Sequence, residues 1–299
     1  MSMKALSESI LLFLVVGSIA QTPLAGEDAA YVEGIEAWRA EREANLKKDG
    51  SWLTVAGLYW LRDGENWVGT DPTNDFVLPK GTTPGVAGVF ELLGREVTFR
   101  VQEGVSVTQD GKFINTVKLE MGEKHAIRVN ALTLWLHYSG DRLAIRIRDL
   151  HSAIRKNFVG LEWFPVNEMY RVTAEFVPHD APREIEMLNI LGDVERFETR
   201  GYVYFELDGE NIRMEPVLRQ DGRLLFVFRD GTSGAESYSA ARFLNTDAPV
   251  DGKVVIDFNR AHNPPCAFNP YTTCPMPTKD NRLKVRIAAG EKNYRQGHP

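Results

Sequence analysis

From Trp52 to about Asp149 the chain is a succession of short apolar runs, each stopped within a few residues by Gly, Asn or Asp. Glu96–Val101, Leu132–Tyr138 and Leu143–Arg148 are examples. Runs of this length, punctuated this often, are too short for helices and fit antiparallel strands. The dipeptides Leu93-Gly94, Asp110-Gly111 and Gly140-Asp141 have the chemistry of tight hairpin turns. The same grammar resumes after Pro165. Arg171–Phe176, Glu184–Ile190, Asp193–Thr199, Gly201–Leu207, Ile212–Leu218 and Arg223–Phe228 read as a meander, with Glu236–Phe243, Lys253–Asp257 and Leu283–Ile287 as further strands. The pattern predicts a mainly β protein of two packed antiparallel domains, sandwich or barrel, at 51–150 and 158–299.

One helix is expected ahead of them. Over Ala29–Lys48, Tyr31, Ile35, Trp38 and Leu46 fall near one face, with Glu, Arg and Lys elsewhere. Asp28 is a suitable N-cap and Asp49-Gly50 a suitable stop, so the helical segment is 28–49. Before it, Lys4 precedes the apolar run Ile10–Ala20, and Ser18-Ile19-Ala20 resembles a cleavage site. Residues 1–20 are read as a signal peptide, which makes the mature chain periplasmic or extracellular, with no membrane insertion after cleavage. A formal net charge of −6 argues against nucleic acid as a partner, because phosphate neutralisation needs a basic surface. Oligomeric state is left open.

Two stretches of the second half carry chemistry. In Arg229-Asp230-Gly231-Thr232-Ser233-Gly234 the glycines free the backbone to turn N–H groups and the hydroxyls of Thr232 and Ser233 towards a ligand; Tyr238 and Arg242 follow, and Arg242 suits an anion. The alternative is a hairpin turn with a structural Arg–Asp pair. The second stretch, Asp257–Pro277, holds five of the fifteen prolines and both cysteines, Cys266 and Cys274. After export, two cysteines this close are read first as a disulfide, with free buried thiols as the alternative. Alternation places Asp257 and Asn259 on one strand face. Cys266 with His262 and Asp257 contains the elements of a nucleophile pair, which a disulfide would consume. Glu291 is either a general base or, more simply, half of a solvated ion pair. The six histidines lack metal-ligand spacing, so neither metal nor cofactor is expected. Trp60, Trp67, Trp135 and Trp163 are read as core.

The stretches Phe158–Pro165, Phe228–Leu244, Asp257–Pro277 and 281–292 resemble the bacterial domain of unknown function 1684, as does Gly57–Leu61 near the start. That resemblance implies no assigned reaction, and members of the family usually carry Tyr where this chain has His262. Gly64–Pro79 resembles the opening of a forkhead-associated β-sandwich, a fold that reads phosphothreonine. Thr70 stands where that fold has its Arg, and Asp110-Gly111 replaces its Asn-Gly, so this half is read as a scaffold.

The function expected is binding of a small polar or anionic ligand by Thr232, Ser233, Tyr238, Arg242 and Asn259 in a pocket of the C-terminal domain. A hydrolase of small esters, amides or phosphates, with Asp257 or Glu291 as base and 231–234 as oxyanion donor, is the alternative. A purely structural envelope protein is the third.

Overall fold

The computed structural model describes residues 25–294. The expected signal peptide and its cleavage site lie outside them. The chain is mainly β, with one long helix, Ala25–Lys47, in front. The helix starts earlier than expected, so Asp28 sits inside it and is not its N-cap. Ile35 and Leu46 are buried, as the apolar face predicts. No helix among the described residues is long and apolar enough to cross a membrane.

Two sheets of the first half share one core. A six-stranded sheet runs in the order Val55–Trp60, Arg142–Asp149, Leu132–Ser139, Ile127–Val129, Val107–Gln109, Lys112–Phe113. A five-stranded sheet runs Phe76–Val77, Gly64–Gly69, Gly88–Leu93, Glu96–Val101, Thr116–Lys118. Phe90, Phe99, Ile127, Leu132 and Ile145 interleave between them with no exposed surface. Each such side chain contributes about 1.5–3 kcal/mol on burial. The strand pairs of this half are antiparallel except Phe76–Val77, which runs parallel to Gly64–Gly69; an isolated bridge between Met121 and Leu136 is also parallel. Of the four tryptophans expected in the core, only Trp135 is buried; Trp67 is 40% exposed on an outward strand position, and Trp60 and Trp163 are half-buried.

In the second half, Glu210–Met214, Val194–Leu207, Arg171–Leu188 and Lys253–Asp257 form a four-stranded sheet. It packs against a three-stranded sheet of Val217–Leu218, Leu224–Phe228 and Arg242–Thr246 around Phe226, Phe228, Ile256 and Phe258. Four of the expected strands are really two. Arg171–Phe176 and Glu184–Ile190 belong to the 18-residue strand Arg171–Leu188, and Asp193–Thr199 and Gly201–Leu207 to the 14-residue strand Val194–Leu207. Their ladder breaks register only between Pro178 and Arg183, where a proline without an N–H produces a local irregularity, which sequence reading mistakes for a loop. The turn Asp208-Gly209 has φ of 55° and 75°, the left-handed pair a tight hairpin demands.

Two expected strands are absent. Before Arg242 the chain folds back on itself, with Glu236 and Ser237 N–H groups both donating to the Thr232 carbonyl. Leu283–Ile287 is spent on that turn instead of a ladder: Leu283 N–H donates to the Arg229 carbonyl, and the Val285 carbonyl accepts from Gly231 N–H. Helix, cysteine segment and C-terminus meet in a small apolar cluster of Leu46, Leu53, Ala267 and Phe268, with Tyr238 and Tyr294 against it.

Candidate functional site

The helix lies across the C-terminal body and leaves a cleft of about 440 Å³ beside it. Trp38 supplies one wall. Arg171, at the start of the long strand, and Arg223 and Arg260 supply the guanidiniums; Asp257, Asn245 and His262 complete the lining. A second cleft of about 360 Å³ adjoins it and shares Trp38, Asn245 and His262, with Arg42 and Trp52 on its far side. The guanidinium of Arg260 stands 6.0 Å from the Trp38 ring and that of Arg171 5.2 Å from the Tyr31 ring. The buried Oδ1 of Asn245 has no hydrogen-bond partner, which is costly unless something else meets it.

His262 is held by two backbone bonds of 2.8 Å to Phe243, which dock it on the edge of strand Arg242–Thr246. Its Nδ1 lies 3.1 Å from the Arg260 carbonyl. A proton on Nδ1 satisfies that carbonyl and leaves Nε2 as an acceptor. Burial, followed by the nearby Arg42 charge, holds the imidazole well below the usual histidine range, so it is neutral at pH 7.

Behind the cleft, Asp257 and Asn259 do meet, but through a cap and not as strand neighbours. The Asp257 carboxylate accepts from Asn259 N–H at 3.1 Å and so starts the 3-10 turn Phe258–Arg260. Tyr31 donates to the same carboxylate at 2.9 Å, and burial and that charge together push the phenol's pKa up. The Asn259 amide donates to Tyr31, Asp257 and the Asn167 carbonyl, and accepts from Asn167 N–H at 3.0 Å. Asn259 has no exposed surface, and its amide is spent on bracing the site. Asp257 keeps Oδ2 towards the cleft, 3.8 Å from Arg260 Nε.

Glu291 is not the solvated ion-pair partner expected. It has no exposure and grips Arg42 of the helix through both carboxylate oxygens, while Asn263 N–H donates to it at 2.6 Å. A carboxylate enclosed this way has no path to a substrate proton. Gly290, at φ 79°, passes so close to the Ala261 carbonyl that a Cβ would lie 2.3 Å from it; only glycine delivers Glu291 to this place.

Thr232, Ser233 and Arg242 converge too, around Asp230 and apart from the residues lining these two clefts. Arg242 is fully buried and donates to Asp230 at 3.2 Å, to the Ile287 carbonyl at 3.0 Å and to the Ala289 carbonyl. Thr232 donates to Asp230 at 2.8 Å and pairs with Ser237; the Ser233 hydroxyl accepts from Asp230 N–H. Ile287 N–H closes the set at 2.7 Å. The structure thus places Thr232, Ser233 and Arg242, the residues expected to meet a ligand, in hydrogen bonds to one another and to Asp230. The Gly231 and Gly234 N–H groups are bonded to the carbonyls of Val285 and Ser237. Tyr238 likewise spends its hydroxyl on the Cys266 carbonyl at 3.1 Å.

Cys266 and Cys274 are buried side by side but unbridged, so the expected disulfide is not formed here. Cys266 N–H donates to the Cys274 sulfur at 3.2 Å. The Cys266 thiol is pushed far up, first by its hydrogen bond to Cys274 and then by burial, which removes it as a nucleophile. Among the described residues no cluster of His, Cys, Asp or Glu is arranged to hold a metal.

Sequence reasoning singled out Asp257 and His262 as site residues but missed Arg171, Arg223, Asn245, Arg260 and Trp38. Nothing in the spacing of these residues marks them, since different elements carry them to the cleft. The geometry around Asp230 makes a definite prediction. Arg242→Met leaves a buried carboxylate uncompensated and should destabilise the fold by about 3–5 kcal/mol, read as a drop in the urea midpoint; an unchanged midpoint would show that the pair is not structural.

Residues 156–292 match the model of the family described as "Protein of unknown function (DUF1684)". No curated protein matches the chain. Among solved structures, the chain is similar to the solution NMR structure of the uncharacterized protein from gene locus rrnAC0354 of Haloarcula marismortui. The two are 30% identical over 48% of this chain and 80% of that one, with a TM-score of 0.40. The family supported for this protein, through its C-terminal half, is thus the unknown-function family DUF1684, whose description assigns no activity.

Proposed function

We propose that this protein binds a small anion that also carries a hydroxyl or amide donor, in the cleft between the N-terminal helix and the C-terminal β core. One observation carries the reading: the guanidiniums of Arg171, Arg223 and Arg260 surround a wall containing the unpartnered Asn245 Oδ1. Guanidiniums bind carboxylate or phosphate in two-pronged fashion, and Asn245 would accept from the ligand's donor. Arg223 is already paired tightly with Asp221 at 2.7 Å, whereas Arg260 is only loosely engaged by Asp257 at 3.8 Å, so Arg171 is the principal anchor with Arg260 beside it. A panel of carboxylates and phosphate esters should raise the melting temperature for one class. Arg171→Ala and Arg260→Ala should each weaken binding about tenfold, the loss expected of one charge-assisted hydrogen bond of about 1.5 kcal/mol. Affinity unchanged in both variants sinks the proposal.

His262 supports a second reading, hydrolysis of a small ester, amide or phosphate ester. A neutral imidazole with Nε2 directed away from its backbone anchor is equipped to take a proton. It replaces Asp257 and Glu291 as the base. Turnover in a substrate screen should fall about 100-fold or more in His262→Asn; turnover that survives the substitution excludes this role.

We read the N-terminal pair of sheets as a forkhead-associated-like scaffold without phosphothreonine binding. Thr70, in the position of that fold's Arg, is instead occupied with the carbonyls of Thr83 and Pro84, both at 3.2 Å. We also infer export, on the strength of Lys4 and the run Ile10–Ala20. The adjacency of Cys266 and Cys274 is compatible with a bridge formed in an oxidising compartment. Mass spectrometry of the protein from its own cells, alkylated without reduction, should find a chain beginning at Gln21 with no alkylated cysteine. A chain retaining Met1 with two alkylated cysteines would overturn both inferences.

A further inference from the structure

We propose that a second site, in a cavity of about 700 Å³ at the junction of the two β cores, binds a small zwitterion of the α-amino-acid class, its carboxylate on Arg146 and its ammonium on Glu195. The cavity is walled by His137 and Tyr138 of strand Leu132–Ser139 on one side, by Asp193, Glu195 and Phe197 on the other, and by Thr273 of the cysteine segment.

Four arginines are buried among the described residues: Arg39, Arg146, Arg148 and Arg242. Three have a carboxylate at ion-pair distance, Glu36 for Arg39, Glu123 for Arg148 and Asp230 for Arg242. Arg146 has none. Only 5% exposed, its guanidinium touches two neutral acceptors at the cavity wall, His137 Nε2 at 2.9 Å and Thr273 Oγ1 at 3.4 Å. Its Nε is buried without any partner. His137 cannot supply the missing charge, for it accepts a hydrogen bond from Arg146, and burial and Arg146 together press its own pKa down to about 3. A buried cation whose contacts are neutral, with Glu195 and Glu123 acting on it only from beyond contact, is an incomplete arrangement that a carboxylate would complete.

Glu195 is the converse case. It lines the same cavity, accepts from the Asn189 amide at 2.8 Å, and has no cation at ion-pair distance. Arg146 and Glu195 feel each other's charge without making contact. Asn189, fully buried and bonded also to Ser139 at 2.6 Å, keeps Glu195 from swinging across to close the gap. Glu195 on the wall and Arg146 directly behind His137 and Thr273 thus hold opposite charges apart, which matches a small ligand carrying both a carboxylate and an ammonium. The remaining charges favour the same class. Asp193 is taken by Arg142 and Ser139, Arg196 by Glu186, and the open Asp141 at the rim disfavours a simple dianion. Tyr138 and Phe197 leave apolar wall for a side chain.

The test uses the full chain and the standard α-amino acids, each beside its analogue lacking the amino group and its analogue lacking the carboxylate. At least one amino acid should raise the melting temperature while neither of its analogues does. Glu195→Gln, at a half-buried position, and Arg146→Lys, with circular dichroism to confirm folding, should each weaken that response about tenfold or more. The proposal is overturned if no amino acid shifts the melting temperature, if the carboxylate-only analogue shifts it equally, or if the response survives intact in folded Glu195→Gln.

Discussion

The ion pair between Arg42 and Glu291 fixes the N-terminal helix on the C-terminal body. It joins the helix to the segment that follows Gly290, with the carboxylate wholly enclosed and Asn263 N–H bound to the same group. The cleft exists because the helix is fixed there. Trp38 forms its wall, Tyr31 reaches from the same helix to Asp257 and Asn259, and the Arg42 charge helps to keep His262 neutral. Removing either partner would strand a charge in a dry place, a far larger penalty than the pair's net contribution to stability.

Buried arginines recur as the fastening device of the protein. Arg148 joins Glu123 to the carbonyl of Ser51 and the hydroxyl of Thr54, so a central strand is tied to the segment entering the first sheet. Arg242 gathers Asp230 and the carbonyls of Ile287 and Ala289, which turns three distant stretches into one closed knot. Each satisfies several acceptors, backbone and side-chain, with one planar group, which a lysine could not do. The same device gives Arg146 its meaning by contrast, since it has the burial without the carboxylate.

The β character of both halves was legible because strand burial has a local signature. In Lys253–Asp257, Val254 and Ile256 point inward and Val255 outward, as alternation requires. Asp-Gly pairs announced their hairpins for an equally local reason. Where sequence reading erred on strands, a non-local competitor had won: Pro178 interrupts a ladder that resumes beyond it, and 283–287 exchanges backbone bonds with the 229–231 turn in preference to a strand. The candidate site was legible in part. Asp257 and His262 stood out in a polar, proline-rich segment, whereas Arg171 and Asn245 carry no mark of their own and reach the cleft only because the fold brings them beside His262.

The amino-acid sequence alone determined the strands, the turns and the amphipathic helix, since backbone preference and burial period act over a few residues. It also determined which residue types were on hand for anion chemistry. Tertiary structure alone decided which charges are spent and which are free. Thr232, Ser233 and Arg242 looked like a ligand cradle, yet their donors are consumed by Asp230 and the carbonyls of Ile287 and Ala289. Arg42 and Glu291 meet across 249 positions of chain. A charge acquires its function from the dielectric and the counter-charge around it, and both are set by contacts that sequence spacing does not encode.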